Sequence, residues 1–357
     1  MTAIRELLTG RAPRAGEPPG QRQRAATLAQ RVLGRPSLGA VGGALAVLLF
    51  FSFYTTQFKT PSGIATWLDP SSTLGIVAVA VALLMIGGEF DLSAGVMTGS
   101  TGLCMGLLAV ELQLNVWLAM LGALLFAVAV GLLNGTLVVW TRLPSFIVTL
   151  GTFFMLQGLN NGVAQLVTNT VRVDNIDAAP GYRLPFLLLG STVTLAGARF
   201  QVAILWWIAL TALGSWLLLR TRVGNWVFAV GGNPIAARGV GVPVARVKIG
   251  LFIGTAVSAW LVGMMTALRF TSVTAAQGVG LELQYIIAAV VGGCLLTGGY
   301  GSVVGTSIGA LIFGMAQIGI PFAGWNSNWF DLFLGIMLLF AVLINNAVRR
   351  RYQEVTS

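Results

Sequence analysis

Histidine is absent from this sequence. Zinc sites built on imidazole, histidine-based triads and histidine proton relays are excluded with it. Cysteine is nearly as scarce: Cys104 and Cys294 lie far apart, each inside an apolar run. Small-group packing is the reading for both, since neither forms a metal or redox motif. No Gly-Lys dipeptide occurs, so a lysine-bearing phosphate loop has no sequence on which to form. No nucleophile–base set and no metal-ligand set can be assembled, so the chain is read as a non-enzyme without cofactor or metal. Charge is thin as well: charged residues make up 9% of the 357 positions against 56% hydrophobic, with a mean hydropathy of +0.85. An ordinary soluble domain does not tolerate that balance.

What remains is hydrophobic, in runs about as long as the ~20 residues that cross a bilayer. About ten are readable: Leu38–Phe58, Ser71–Gly87, Ala94–Val110, Val116–Trp140, Ser145–Leu166, Gln201–Leu219, Ile249–Leu268, Leu283–Leu296, Val303–Ile320 and Trp329–Ala347. The sequence therefore predicts an all-α polytopic membrane protein, embedded in the lipid bilayer over residues 37–348. Residues 1–36, rich in Arg, Gly, Pro and Gln, hold no signal-peptide core and read as a disordered basic cytoplasmic tail. With an even number of spans both termini are cytoplasmic, and 349–357 forms a second tail headed by Arg349–Arg351. On this topology all but five of the 21 basic residues (Lys59, Arg172, Arg183, Arg199 and Arg269) lie inside. The net charge of +10 is thus orientation information, and no nucleic-acid partner is implied. The longest outer loop is 167–200. A faint repeat, Leu121–Phe126 and Ile308–Phe313, suggests two weakly related five-helix halves.

The polar interruption at 220–248 carries Arg220, Arg222, Arg238, Arg246 and Lys248 and no acid, which places it inside. Within it Asn233 suits a helix cap, Pro234 the first turn, Ile235–Arg238 the winding, and Gly239 or Gly241 the stop. Such a short cationic helix either docks a soluble partner or simply connects two spans.

Two further junctions break the apolar pattern. Gly87–Gly95, G-G-E-F-D-L-S-A-G, sets Glu89 and Asp91 at a helix break, which serves as a capped turn, as part of a transport path, or as both. Gly292–Gly305, G-G-C-L-L-T-G-G-Y-G-S-V-V-G, implies tight packing and a turn. Between them stand G-L-L-N-G-T-L-V at Gly131–Val138 and L-P-S-F-I-V-T-L-G-T at Leu143–Thr152.

These motifs, in this order, together with G-G-N-P-I-A-A-R-G-V-G-V in the 220–248 segment, resemble the permease subunits of bacterial ABC importers. The similarity is to the simple-sugar branch that includes ribose, xylose and autoinducer-2 permeases. It runs from about residue 75 to 345, and the first junction carries one residue more than the commonest family spacing. The resemblance implies that Gly231, Gly232, Asn233, Ala236, Ala237, Arg238 and Gly241 form the loop that contacts the ATPase. It also implies an ABC ATPase subunit, an extracytoplasmic sugar-binding protein and a second permease, identical or similar, as partners. The energy would come from the separate ATPase subunit, the location would be the bacterial inner membrane, and the reaction alternating-access uptake of a monosaccharide.

Candidates for the solute path are Glu89, Asp91, Gln157, Asn160, Asn161, Gln284, Tyr285 and Gln317, with Asn326, Asn328 and Trp329 at the last outer loop. Amides and aromatic faces suit a neutral polyhydroxylated solute, and the same residues serve as helix glue and interfacial anchors. Branched-chain amino acids or nucleosides are the alternative cargo. An independent secondary transporter is the alternative class, short of mid-membrane acids beyond Glu89 and Asp91.

Overall fold

The computed structural model describes residues 36–356, with side chains from Gly39 to Leu343. The tail expected at 1–36 lies, apart from Pro36, outside the described residues. The chain is all-α in architecture: α1 (Pro36–Tyr54), a 3-10 turn (Thr56–Lys59), α2 (Pro61–Ile86), α3 (Ala94–Val110), α4 (Val116–Thr141) and α5 (Ser145–Thr168) come first. Then follow α6 (Ala203–Arg220), α7 (Arg222–Gly232), α8 (Pro234–Gly239), α9 (Val244–Phe270), α10 (Leu281–Val291), α11 (Val303–Phe322) and α12 (Trp329–Thr356). Helices are the form these runs must take, because inside lipid a helix satisfies its own backbone groups. Five of them, α2, α4, α6, α9 and α11, are long and apolar enough to cross a membrane, and the apolar stretches of α1, α3, α10 and α12 are shorter.

α2, α9 and α11 form the centre. α2 packs on α11, α6, α9 and α10, and α9 packs on α4 and α3. α2 buries side chains around its whole circumference from Leu74 to Ile86, as a helix in the middle of a bundle does. α4, α5 and α6 instead leave large apolar side chains exposed, among them Leu125, Trp140, Phe154, Leu166 and Leu219. Such a surface has no counterpart in a water-soluble domain of this size and fits contact with lipid or another membrane subunit.

Small β elements tie the loops at one end. β1 (Arg172–Val173) pairs antiparallel with β4 (Val273–Thr274), joining the segment after α5 to the segment after α9. β2 (Thr192–Leu195) and β3 (Ala198–Gln201) form a hairpin whose two turn residues, Ala196 and Gly197, both have positive φ, as a tight I′ turn requires. The segment read as the loop 167–200 therefore carries structure of its own.

Four boundaries differ from those read in the sequence. α2 begins at Pro61, ten positions before Ser71, because Asp69 and Pro70 lower the local hydropathy without ending the helix. The hydroxyls of Ser71 and Ser72 donate to the carbonyls of Trp67 and Asp69, and such side chains offset the damage of an internal proline. α9 begins at Val244, so most of 220–248 is helical. The run Leu283–Leu296 yields only α10, whose 11 residues extend about 16 Å, half of a hydrocarbon core. It stops at Gly292–Gly293 although Cys294, Leu295 and Leu296 continue the apolar composition. α12 runs on to Thr356 and holds Arg349–Arg351 within its backbone.

Candidate functional site

α7 and α8 are built from the polar interruption. The Thr221 hydroxyl accepts from Gly224 N at 3.3 Å and starts α7, which buries Gly224, Val227 and Val230 along one stripe. Asn233 starts α8: its side-chain oxygen accepts from the backbone N–H groups of Ile235 and Ala236, both at 3.0 Å. Pro234 fills the first turn, and Gly241, at φ +86°, lets the chain turn toward α9. α8 has two unlike faces. Ala237 is 4% exposed and packed into the core, whereas Ile235 and Val240 are 85% and 80% exposed. Arg238, Ala236, Gly232 and Asn233 share the exposed side.

Below this pair, three Gly-Gly steps that are remote in sequence interlock. The backbone N–H of Gly299 donates to the Ile86 carbonyl at 2.8 Å. A Cβ on Gly231 would sit 1.8 Å from that same carbonyl oxygen and 2.7 Å from Gly299 N. A Cβ on Gly298 would meet the Gly88 Cα at 2.7 Å, and one on Gly299 the Gly232 Cα at 2.9 Å. Gly88, Gly298 and Gly299 also hold positive φ, so both space and backbone conformation demand glycine here. The family resemblance places Gly231 in the loop that contacts the ATPase. In the structure its close approach is to this chain's own backbone, and Gly232 is the one that faces open space.

The break between α2 and α3 rests on that junction. Glu89, 6% exposed, forms a salt bridge with Lys248 on the first turns of α9. Asp91, 2% exposed, accepts from Ser93 N at 2.8 Å and from the Ser93 hydroxyl. Asn134 on α4 donates to the Ser93 hydroxyl at 3.0 Å and accepts from Thr152 of α5 at 2.6 Å. The hydroxyls of Ser145 and Thr149 accept from the N–H groups of Phe90 and Leu92, both at 3.0 Å. Non-helical backbone is tolerated at membrane depth where protein groups satisfy it, and α5 supplies them here. Glu89→Gln leaves Lys248 largely buried without its counter-charge. A loss of about 3 kcal/mol is expected, the low end for breaking a buried pair, and the double swap Glu89→Lys/Lys248→Glu should recover part of it. Thermal unfolding of the purified protein measures both; an unchanged melting temperature for Glu89→Gln would mean that water screens the pair.

The eight path candidates do not form one cluster. Asn160 is buried and donates to the Ala275 carbonyl at 3.3 Å, while Asn161 bonds back to the Gln157 carbonyl on its own helix. Gln284 is half-buried, and Tyr285 is 1% exposed with its hydroxyl unpaired among the described residues. Gln317 is exposed on α11, which packs on α2, α1 and α10, whereas α5 packs on α3 and α4. A separate polar hollow of about 490 Å³ opens at the far end of the bundle, where Asp69, Thr66, Arg199, Gln201 and Arg269 meet. Asp69 and Arg269 are paired at 2.6 Å. Asp69 is a residue that reading the sequence passed over, although an acid beside a proline inside an apolar run was its signal. Asn134 and Thr152 lay within recognised motifs but were not singled out. Glu282, 9% exposed and accepting from Gly280 N at 3.0 Å, had no motif to mark it.

With this geometry in place, comparison with known proteins is informative. The family described as "Branched-chain amino acid transport system / permease component" matches residues 63–342. The ribose import permease protein RbsC of Escherichia coli strain K12 is 30% identical over 303 residues, covering 85% of this chain and 91% of that protein. The fructose import permease protein FrcC of Rhizobium meliloti is 31% identical over 306 residues, covering 86% and 84%. The xylose/arabinose import permease protein XylH of Sulfolobus acidocaldarius is 30% identical over 318 residues, covering 87% and 85%. No solved structure matches the chain.

Proposed function

This chain belongs to the branched-chain amino acid transport system / permease component family, and from that membership we propose that it is the membrane-spanning subunit of an ATP-driven sugar importer. The cargo class follows the named relatives, which import ribose, fructose and xylose or arabinose.

The observation that carries the reading is the glycine junction. It clamps the α7–α8 pair to both helix breaks at once, the one after α2 and the one after α10. A push on the exposed face of α8, bearing Ile235 and Arg238, would reach both breaks through backbone contacts that have no side chain to absorb it. A separate ATPase subunit supplies that push on this reading, and the chain alone neither binds nor hydrolyses ATP. α7 and α8 are cytoplasmic, both termini are cytoplasmic, and the polar hollow around Asp69 and Arg269 faces a soluble binding protein outside. Ten passes are counted with α10 as a half-helix whose crossing is completed by the segment before it, residues 273–280, which lies along α3 from Gly106 to Gly95. A second permease, identical or similar, lies against the exposed apolar faces.

The test is reconstitution with the ATPase and the binding protein. Vesicles are expected to accumulate labelled ribose, xylose or fructose only when ATP and both partners are present. Uptake driven by an ion gradient without the ATPase would make the chain a secondary transporter. Uptake confined to branched-chain amino acids would overturn the cargo.

A further inference from the structure

Two hollows, of about 440 and 400 Å³, lie side by side along α9. The first is walled by α2, α4, α6 and α9, with Ile76, Trp206, Leu213 and Leu261 on its surface. The second is walled by α7 and the start of α9, with Trp226, Arg246, Gly250 and Leu251. Ala80, Leu83, Leu217 and Gly254 belong to both, so the two form one continuous groove. From Arg246 to Leu261 it follows α9 for about 22 Å, the depth of one leaflet counted with its headgroup layer. Its floor is open, since a Cβ on Gly250 or Gly254 would meet no atom within 4 Å.

The two ends differ in charge. The upper part is apolar, with three tryptophans (Trp117, Trp206 and Trp260) among its walls. At the lower end stands Arg246, exposed and without an ion-pair partner among the described residues. Arg220 and Arg222 are exposed at the junction of α6 and α7 close by, and the chain has no acid between Asp177 and Glu282. A groove that is apolar along its length and cationic only where it meets the membrane surface matches a lipid with an anionic headgroup.

We propose that this groove holds one anionic glycerophospholipid of the cytoplasmic leaflet. Its acyl chain lies along Leu213, Leu217 and Gly254, and its phosphate rests on Arg246. The assignment of leaflet rests on the orientation given above. The lipid would bind α6, α7 and α9 together beside α8, the helix on which an ATPase would act.

Native mass spectrometry of the purified full chain, equilibrated with equal amounts of phosphatidylglycerol and phosphatidylcholine, tests the proposal. Wild type is expected to retain one lipid per chain, with phosphatidylglycerol favoured about fivefold, the effect of one basic residue beside a net anionic rather than a zwitterionic headgroup. Arg246→Gln should retain a lipid without preference. Gly254→Leu, which fills open space without a clash, should retain neither while eluting as the same monodisperse species. Equal retention of the two lipids by wild type, or undiminished retention by Gly254→Leu, overturns the proposal. So does a disulfide between two copies carrying Gly254→Cys in membranes, which would make the groove a seam between subunits. Labelling of Arg238→Cys by an impermeant reagent reports the orientation separately. Reaction from outside would refute the leaflet assignment, while the retention ratios alone would still judge the groove.

Discussion

Gly231→Ala is expected to abolish uptake and lower the yield of folded protein about tenfold or more, while Gly232→Ala, one position on, leaves both near wild type. The added methyl at 231 would sit 1.8 Å from the Ile86 carbonyl oxygen and 2.7 Å from Gly299 N. Both are backbone atoms, and they are already bonded to each other at 2.8 Å, so no flexible side chain can swing aside. Overpacking of a core typically costs about 1–3 kcal/mol, and a contact against fixed backbone belongs at the upper end of that range. About 3 kcal/mol shifts a folding equilibrium by roughly two decades. At 232 a Cβ would meet nothing within 4 Å. Size-exclusion profiles of the two variants, followed by ATP-dependent uptake in the reconstituted complex, separate the cases. Matching profiles and uptake would show that the junction is loose and that α7 moves independently of the helix breaks.

The second large effect is expected from charge reversal on α8. Arg238→Glu should fold and insert normally, because the side chain is exposed and makes no salt bridge among the described residues. Association with the ATPase should fall by tens-fold or more, the result of breaking one side of a desolvated charge contact at about 2–5 kcal/mol. Uptake should fall with it. Ile235→Asp, at 85% exposure, should weaken the same association without touching the bundle. Bulk at Ala237 is no test of this surface: the residue is 4% exposed, so Ala237→Trp would damage the chain's own packing first. Copurification of the ATPase with each variant gives the answer. Full association with Arg238→Glu and Ile235→Asp together would show that α8 is a connector and that coupling runs elsewhere.

α8 was legible in the sequence almost to the residue, because its signals are local: an Asn cap, a Pro at the first turn and a glycine beyond the end. The long helices were legible for the same reason, being contiguous apolar runs. α10 was overestimated because composition does not distinguish a helix from an apolar turn, and Cys294–Leu296 are apolar in either. The start of α2 was hidden because Asp69 and Pro70 both lower its score, although neighbouring hydroxyls mend the helix there. Orientation around a helix axis was the least accessible part. The resemblance marked Gly231, Ala237 and Arg238 as one ATPase-contacting surface, yet a Cβ at 231 and the side chain of Ala237 both meet the chain's own interior, since a shared motif shows which residues are contiguous and not which way each one faces. The pairing of Asp69 with Arg269 and the meeting of three Gly-Gly steps join positions tens to hundreds of residues apart. A single sequence shows that such residues exist and leaves their partners unread.

Two salt bridges connect the same pair of elements. Asp69 of α2 holds Arg269 of α9, and Glu89, three residues past the end of α2, holds Lys248 on the first turns of α9. The acids stand 20 residues apart and the bases 21, a nearly matched length of about 30 Å on each side. Riveted at both ends, the two helices resist sliding past one another and behave as a single beam that tilts without shearing. For such a beam a tilt of about 10° about its midpoint carries each end by about 2.6 Å, in opposite directions. A displacement of a few ångströms at the Lys248 end is thus matched by an opposite one of the same size at the hollow where Arg269 sits.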